Sequence, residues 1–150
     1  MTWCVVGSFE DDVNKFQRKT VNKMDQIVRK VALELFTRII YKTPVDTGRA
    51  RSNWQVAIGT PASGTVEIDD KSGNATVSKA TAKSAGFKAG DTIYLANNLP
   101  YIRRLEEGGY GEGPKTVGGF SRQAPAGMVT LTVQEFASTV KRIGVEISRQ

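Results

Sequence analysis

Two pairs of adjacent carboxylates, Asp69-Asp70 and Glu106-Glu107, are the residues of this sequence whose type suits acid–base catalysis or cation binding. Either role requires a third or fourth group that converges on the pair, and the sequence shows none. Adjacent acids on a helix also point to different faces. We therefore predict that these residues are solvated charges or form salt bridges between subunits.

The absence of histidine excludes most catalytic classes. Without it there is no Ser-His-Asp or Cys-His nucleophile, no histidine acid–base catalyst and no histidine metal site. Cys4 is the only cysteine, which excludes an intramolecular disulfide and a multi-cysteine zinc site. The glycine-rich run 108–113 lacks the Gly-Lys-Ser/Thr of a phosphate loop and the spacing of a dinucleotide motif. We predict no catalytic residues, no cofactor, no metal and no enzymatic activity; a carboxylate-dependent hydrolase is the alternative.

A surplus of basic residues points instead to negatively charged partners. The net charge is +6, which suits nucleic acid or an acidic protein surface, although a solvated basic surface is the simpler explanation. Arg51 and Arg103 are the strongest candidates, because they lie near Trp54 and Tyr101, and arginine and aromatic residues are enriched in interface cores. The full predicted interface with subunits or partners consists of Asp46, Arg49, Arg51, Trp54, Tyr101, Arg103, Arg104, Glu107, Tyr110, Lys115, Phe120 and Arg122.

Two amphipathic helices are expected to position these residues. The first runs from about Phe9 to Thr43, with Ser8 as its N-cap, Pro44 as its stop, and apolar residues at steps of three and four. Its stripe is polar around residues 18–22, where a break or kink is plausible. The second runs from Val129 to about Ile147, with a strand at 129–133 as the alternative. The aromatic residues expected mainly in the core are Phe16, Phe36, Trp54 and Phe136; Trp3 and Cys4 are candidates for docking on a neighbour.

Between the helices the pattern predicts strands at 52–59 and 91–97 and a short helix over 100–107 that ends at Gly108-Gly109. Residues 60–90 and 108–127 are predicted to be long loops. The result is a single α+β domain over residues 1–150. No apolar run approaches the ~18 residues of a membrane span, and the start lacks the basic region of a signal peptide, so we expect a protein that stays in a cytoplasm.

Three segments in this order resemble the HK97 gp10-like family of tailed-phage tail-component proteins. Residues 44–52, PVDTGRARS, are similar to the family's P-V-D-T-G-x-L-R-x-S, with Ala50 at the leucine position. Residues 100–108, PYIRRLEEG, resemble its P-Y-A-x-x-x-E-x-G. A glycine-rich loop then leads to a proline, here Pro125, and a C-terminal helix. Ala126-Gly127-Met128 follows where the family often has a bulky apolar residue.

This resemblance implies an α+β fold in which a long N-terminal helix and a C-terminal helix flank a small antiparallel sheet. It also implies a ring, usually of six copies, at the head–tail junction or the top of the tail. The expected function is that of a neck or tail-completion subunit in the virion, which assembles in the host cytoplasm. Its expected partners are further copies, a head-completion or adaptor protein, the tail tube or terminator protein, and DNA passing through the ring. The alternatives are a tail terminator and a basic nucleic-acid-binding protein.

Overall fold

The computed structural model describes the backbone of residues 4–150 and the side chains from Phe9 onward. The fold is α+β, as predicted. Its elements are α1 (Cys4–Lys42), α2 (Arg49–Ser52), β1 (Gln55–Ile58), α3 (Asn74–Ser84), β2 (Ile93–Ala96), α4 (Ile102–Glu107), β3 (Thr116–Val117), β4 (Phe120–Ser121), α5 (Val129–Gln134) and α6 (Phe136–Ser148).

Helix α1 confirms the predicted N-terminal helix and corrects two details. It begins at Cys4, so Ser8 lies inside the helix and is not its N-cap. It also continues through residues 18–22, where a break was thought plausible. Those residues include no proline or glycine, which are common causes of a kink. Pro44 lies two residues beyond the end of the helix, as expected. Trp3 lies outside the described residues, as does the side chain of Cys4.

The second half of α1 packs against α3, α5 and α6 and supplies one wall of the core. Phe36 meets Phe87 edge to face, with ring centroids 6.4 Å apart. Val31 belongs to a cluster whose other buried residues come from α6, and Ile39 belongs to a cluster that includes Leu105 of α4. Because each of the three core clusters includes residues of α1, this helix is the element against which the rest of the core packs.

Strands β1 and β2 confirm the two predicted strands, although β1 is shorter than the predicted 52–59, because Ser52 belongs to α2. They pair antiparallel, with Gln55 opposite Ala96 and Ile58 opposite Ile93. Val56 is buried with Phe36 and Phe87, whereas Ile58, at the strand end, is exposed. β1 therefore contributes to the core through its middle and not through its end.

The prediction of a loop over residues 60–90 is wrong, because these residues contain the eleven-residue helix α3. Its buried face consists of small residues, Thr76, Ala80 and Ser84, at steps of four. Such residues let α3 pack closely against α1, but they leave no stripe of large apolar side chains in the sequence. A search for large apolar residues at helical spacing therefore overlooks this helix.

The predicted loop at 108–127 is largely irregular and holds one very short hairpin. Strands β3 and β4 pair antiparallel, with Val117 opposite Phe120. The turn between them is Gly118-Gly119, and both glycines have positive φ. This geometry favours glycine at both central positions of a two-residue hairpin turn.

The C-terminal segment is helical, as predicted in preference to a strand, but Glu135 divides it into α5 and α6. Thr132 in α5 and Thr139 in α6 are the residues buried near this division. The apolar Val133 and Phe136 do not face the core there and are 62% and 46% exposed. The expectation that Phe136 and Phe16 lie in the core is therefore wrong, whereas it is right for Phe36.

Within residues 4–150, no helix combines the length and apolar character that crossing a membrane requires.

Candidate functional site

An open cleft of about 870 Å³ lies where three loop segments meet. The segment after α1 forms one wall, α4 supplies Tyr101 and Leu105, and the glycine-rich loop supplies the rest. We call this surface the motif cleft. It is lined by Pro44, Val45, Asp46, Thr47, Gly48, Arg49, Ala50, Tyr101, Leu105, Tyr110, Pro114, Lys115, Thr116, Ser121, Arg122 and Gln123.

Six of the twelve predicted interface residues line the motif cleft: Asp46, Arg49, Tyr101, Tyr110, Lys115 and Arg122. The other six lie elsewhere: Arg51, Trp54, Arg103, Arg104, Glu107 and Phe120. Arg103 pairs with Glu107 on the exposed side of α4. The guanidinium of Arg104 lies 5.4 Å from the centre of the Tyr110 ring. The interface role of all twelve residues stays a prediction.

Two aromatic residues of the predicted interface have contacts inside the subunit. Trp54 is half-buried, and its indole nitrogen donates a hydrogen bond of 2.8 Å to the hydroxyl of Thr43. The ring of Phe120 lies so close to Gly108 that a Cβ there would be 3.1 Å from ring carbons. Both aromatic side chains therefore help to hold the loop segments onto the core.

The guanidinium of Arg51 is engaged inside the subunit. It donates hydrogen bonds to the carbonyl oxygens of Thr43 at 3.0 Å, Tyr41 at 2.8 Å and Lys71 at 2.7 Å. Two of these acceptors lie at the end of α1, where carbonyl groups have no partner within the helix. Arg51 thus ties α2 to the end of α1 and to the loop before α3.

Replacing Arg51 with lysine should destabilise the protein by about 1–2 kcal/mol, because a single ammonium cannot reproduce the planar fork that reaches three carbonyl oxygens. Urea unfolding followed by circular dichroism measures the change. Arg103→Lys is the matched control. The side chain of Arg103 is 82% exposed, so that change should stay within about 0.5 kcal/mol. Equal effects of the two substitutions would contradict the structural role of Arg51.

The carboxylate of Asp70 is buried and accepts four hydrogen bonds. The donors are the hydroxyls of Ser72 and Thr76 and the backbone N–H groups of Gly73 and Thr76, at 2.8–2.9 Å. Burial raises the pKa of this carboxyl, but the hydrogen bonds outweigh it, and the pKa lies below its usual value. Asp70 therefore holds the first turn of α3, which corrects the prediction that it is solvated or bridges subunits. Its neighbour Asp69 is exposed.

Gly48 of the first motif lies directly against Asp70. A Cβ on Gly48 would be 2.5 Å from the backbone carbon of Asp70, and φ at Gly48 is +99°. The carbonyl oxygen of Gly48 accepts from the backbone N–H of Asp70 and of Ser52. Close backbone approach and a left-handed conformation both require glycine at this position.

Asn53, which the sequence analysis did not single out, is fully buried behind the cleft wall. Its side-chain amide donates to the carbonyl oxygen of Val66 at 2.9 Å, and its side-chain oxygen accepts from the N–H of Val66 at 2.7 Å. An asparagine can pair with an extended backbone in this way without any neighbouring sequence signal, so only the fold reveals it.

Glu106 connects the second motif to the C-terminal helices. Its carboxylate accepts hydrogen bonds from the backbone N–H groups of Met128, Val129 and Thr130, at 2.7–2.8 Å, and from the Thr130 hydroxyl. Burial raises its pKa, but these donors outweigh that effect and lower the pKa below its usual value. Gly127 leaves room for the contact, because a Cβ there would lie 2.8 Å from a Glu106 carboxylate oxygen. Glu106 is therefore a structural cap and not a solvated or intersubunit charge.

The depressed pKa of Glu106 predicts a loss of stability in acid. Its contribution is fully present above the unfolded pKa of about 4.3 and is lost as pH falls through the lower folded pKa. Glu106→Gln should therefore cost about 1–2 kcal/mol at pH 7, and this difference from the wild type should shrink below pH of about 4. Urea unfolding between pH 7 and pH 3 measures it. A difference independent of pH, or an equal effect of the exposed-site control Glu107→Gln, would contradict the prediction.

The charges of the motif cleft are distributed unevenly. Arg49 pairs with Glu67 at 2.6 Å, and its buried Nε has no hydrogen-bond acceptor among the described residues. Lys115 and Arg122 are exposed, and neither forms an ion pair within residues 9–150. Asp46 is the one acidic residue of the lining. The cleft therefore offers apolar and aromatic surface beside an unneutralised basic edge.

The pKa of the Tyr101 phenol is raised, mainly because it is partly buried, with Asp69 acting in the same direction. A phenol that keeps its proton can donate a hydrogen bond to a bound partner. Among the described residues, no group of three or more cysteine, aspartate or glutamate side chains is arranged to hold a metal ion.

Comparison with known proteins gives one family match. Residues 7–108 match the family model described as "Bacteriophage HK97-gp10, putative tail-component". The match spans α1 to α4 and includes both motif segments that line the cleft. No curated protein and no solved structure matches the chain. Because the family model covers more than half of the chain, the protein belongs to the HK97-gp10-like family of bacteriophage tail components.

Proposed function

We propose that this protein is a neck or tail-completion subunit that forms a ring at the head–tail junction and joins the head to the tail. Membership of a tail-component family supports a structural role in the tail of the virion. In our proposal the protein acts by assembly and breaks no bond, so it is not an enzyme. Its neighbours are a head-completion or adaptor protein on one side and the tail tube or terminator protein on the other.

The observation that carries this proposal is the exposed first half of α1. We call residues 9–24 the α1 stalk. Phe9 and Phe16 are 71% and 72% exposed, and Val13, Val21 and Met24 are also exposed. The hydrogen bonds and ion pairs of the described stalk residues stay within α1. A stalk of about 24 Å with an uncovered apolar stripe is typical of a protein whose partner covers it.

The asymmetry of the subunit supports the proposed ring. The stalk and the motif cleft are different surfaces, and contacts between different surfaces of identical subunits are heterologous. Heterologous contacts close into rings when the rotation between neighbours allows it. Six copies is the number that the family resemblance implies.

The basic surplus gives less support to DNA binding than the net charge indicates. Ion pairs engage Arg29, Arg38, Arg49, Arg103 and Arg142. Arg51 is used inside the subunit. Paired arginines contribute less to phosphate binding, since each must first give up its carboxylate partner. We therefore place DNA, if it touches the ring, in a secondary role.

Electron microscopy of particles made by a phage with an early stop codon in this gene tests the proposal. We expect filled heads beside separate tails of normal length, because the joining ring is missing. Tails of irregular length would contradict the joining role and indicate a tail terminator. Intact, infectious particles would contradict a structural role in assembly altogether.

A further inference from the structure

We propose that the motif cleft of one copy binds the α1 stalk of the next copy. This inference rests on the proposed ring and names the contact that would build it. It joins two surfaces that each subunit leaves uncovered, the stalk's apolar stripe and the cleft's apolar lining. The occupant of the cleft is thus a second copy of this chain.

The stalk cannot fill the cleft of its own subunit. Helix α1 is continuous from Cys4 to Lys42, so the stalk cannot fold back on the domain. Among the described side chains of this helix, the first to bond with another segment is Asp25, whose carboxylate accepts from the N–H of Ala89 at 2.8 Å. Residues 9–24 make no side-chain hydrogen bond or ion pair with the described residues outside α1, so their exposed apolar side chains are open to another molecule.

The shapes of the two surfaces agree. Phe9, Val13 and Phe16 follow one another at steps of four and three, which places them on one side of two successive helical turns. The cleft volume of about 870 Å³ lies within the range of about 300–1,000 Å³ that accommodates drug-sized ligands. It is therefore large enough for the apolar side chains of two helical turns. Leu105, Tyr110 and Pro44 provide apolar surface for them.

The charges of the two surfaces are complementary. Glu10, Asp11 and Asp12 lie between Phe9 and Val13 at the start of the stalk. Among the described residues, Asp12 is the one of these three acids with an ion-pair partner, Lys15, and that pair is long at 4.0 Å and exposed. Lys115 and Arg122 at the basic edge of the cleft are available to face these acids.

The next turn of the stalk reverses the sign of the charge. Lys15, Arg18 and Lys19 follow the acidic residues, and Asp46 lies in the cleft lining. In the proposed contact the acidic turn of the stalk faces Lys115 and Arg122 and the basic turn faces Asp46, and this pairing of opposite charges would fix the orientation of one subunit relative to the next.

Pairing of two stalks with each other is the competing arrangement. An antiparallel pair would also place acidic turns beside basic turns, but it would leave the motif cleft open. It would also be a two-fold contact, which by itself closes as a dimer. Insertion into the cleft covers both surfaces and continues from copy to copy, so we favour it.

Charge reversal tests the inference. One full-length variant carries Glu10→Lys, Asp11→Lys and Asp12→Lys, and a second carries Lys115→Glu and Arg122→Glu. All five side chains are exposed, so neither variant disturbs the core. Lys141→Glu with Arg149→Glu is the control, because it changes the net charge as much as the cleft variant does at exposed positions of the C-terminal segment.

Sedimentation velocity at low ionic strength, over a wide range of protein concentration, measures self-association. We expect the wild type and the control to associate, and each reversal variant to associate at least about tenfold more weakly, because like charges would meet at the interface. Mixing the two variants should restore association, since each then offers the other a complementary surface. Combining all five changes in one chain should also restore it.

Three results would overturn the inference. One is a wild type that stays monomeric at every concentration, and another is a loss of association only in the stalk variant, as stalk–stalk pairing predicts. The third is a failure of the mixed variants to associate. The proposed function is judged separately by the stop-codon experiment. If that experiment shows unjoined heads and tails while the reversed variants still associate like the wild type, the ring proposal stands and this contact is wrong.

Discussion

Gly48→Ala is expected to destabilise the protein by at least about 3 kcal/mol, because the added methyl group meets both a left-handed backbone and closely packed backbone atoms. The left-handed backbone costs a non-glycine residue about 1–3 kcal/mol, and overpacking costs a further 1–3 kcal/mol or so. Here the added Cβ would meet backbone atoms of Asp70 and Lys71 at 2.5 Å, and backbone cannot rotate away. For a chain of this size the loss corresponds to a melting temperature about 6–12 °C lower. Thermal unfolding followed by circular dichroism measures it.

Gly64→Ala separates the two contributions. Gly64 also has a positive φ, +77°, but a Cβ there would meet nothing within 4 Å. This control should therefore show only the backbone cost, about 1–3 kcal/mol. If Gly48→Ala were no worse than Gly64→Ala, the close packing of the first motif against Asp70 would be wrong.

Asp70→Ala is expected to cost about 3 kcal/mol, because it leaves buried donors of the first turn of α3 without an acceptor. Two backbone N–H groups, those of Gly73 and Thr76, lose their partner, and so do two hydroxyls. The loss should appear as a lower urea midpoint at pH 7 together with faster hydrogen exchange in α3.

Asp69→Ala is the matched control, since Asp69 is the exposed neighbour in the same acidic pair. A surface substitution of this kind usually changes stability by no more than about 0.5 kcal/mol. Equal effects of the two alanine substitutions would show that Asp70 does not hold α3 in solution.

The elements built on large apolar side chains could be predicted from the sequence. Helix α1, the strands β1 and β2 and the short helix α4 each present such residues at a regular spacing, and Pro44 and Gly108 mark two of their ends. Helix α3 could not be predicted in this way, because it packs through Thr76, Ala80 and Ser84. Its start depends on Asp70, whose role as a cap depends on how the loop before α3 folds.

The candidate site could be predicted in part. The two motif segments, far apart in sequence, do meet in one cleft that contains half of the predicted interface residues. The structural roles of Arg51, Asp70 and Glu106 could not be predicted, because their partners are backbone groups that only the fold brings near. Nearly every residue has the same backbone carbonyl and N–H groups, so the sequence does not show which of them a side chain will bind.

The exposure of Phe16 has a similar cause. Helical spacing places Phe16 on the same stripe as residues that reach the core later in α1, and periodicity cannot tell a core from a partner surface. The structure separates the two uses: the stripe is uncovered as far as Met24, and core clusters include α1 residues from Ile27 onward. An apolar stripe that continues beyond the part of the helix covered by the domain is thus the sequence feature that indicates assembly.

Cryo-electron microscopy of intact virions would show whether these subunits form a ring at the head–tail junction. The α+β subunit with its 39-residue helix α1 is distinctive enough to be recognised in the map. We predict a closed ring of these subunits between the head and the tail tube. Subunits found along the length of the tail or at its tip, or no copies at the junction, would contradict the claim.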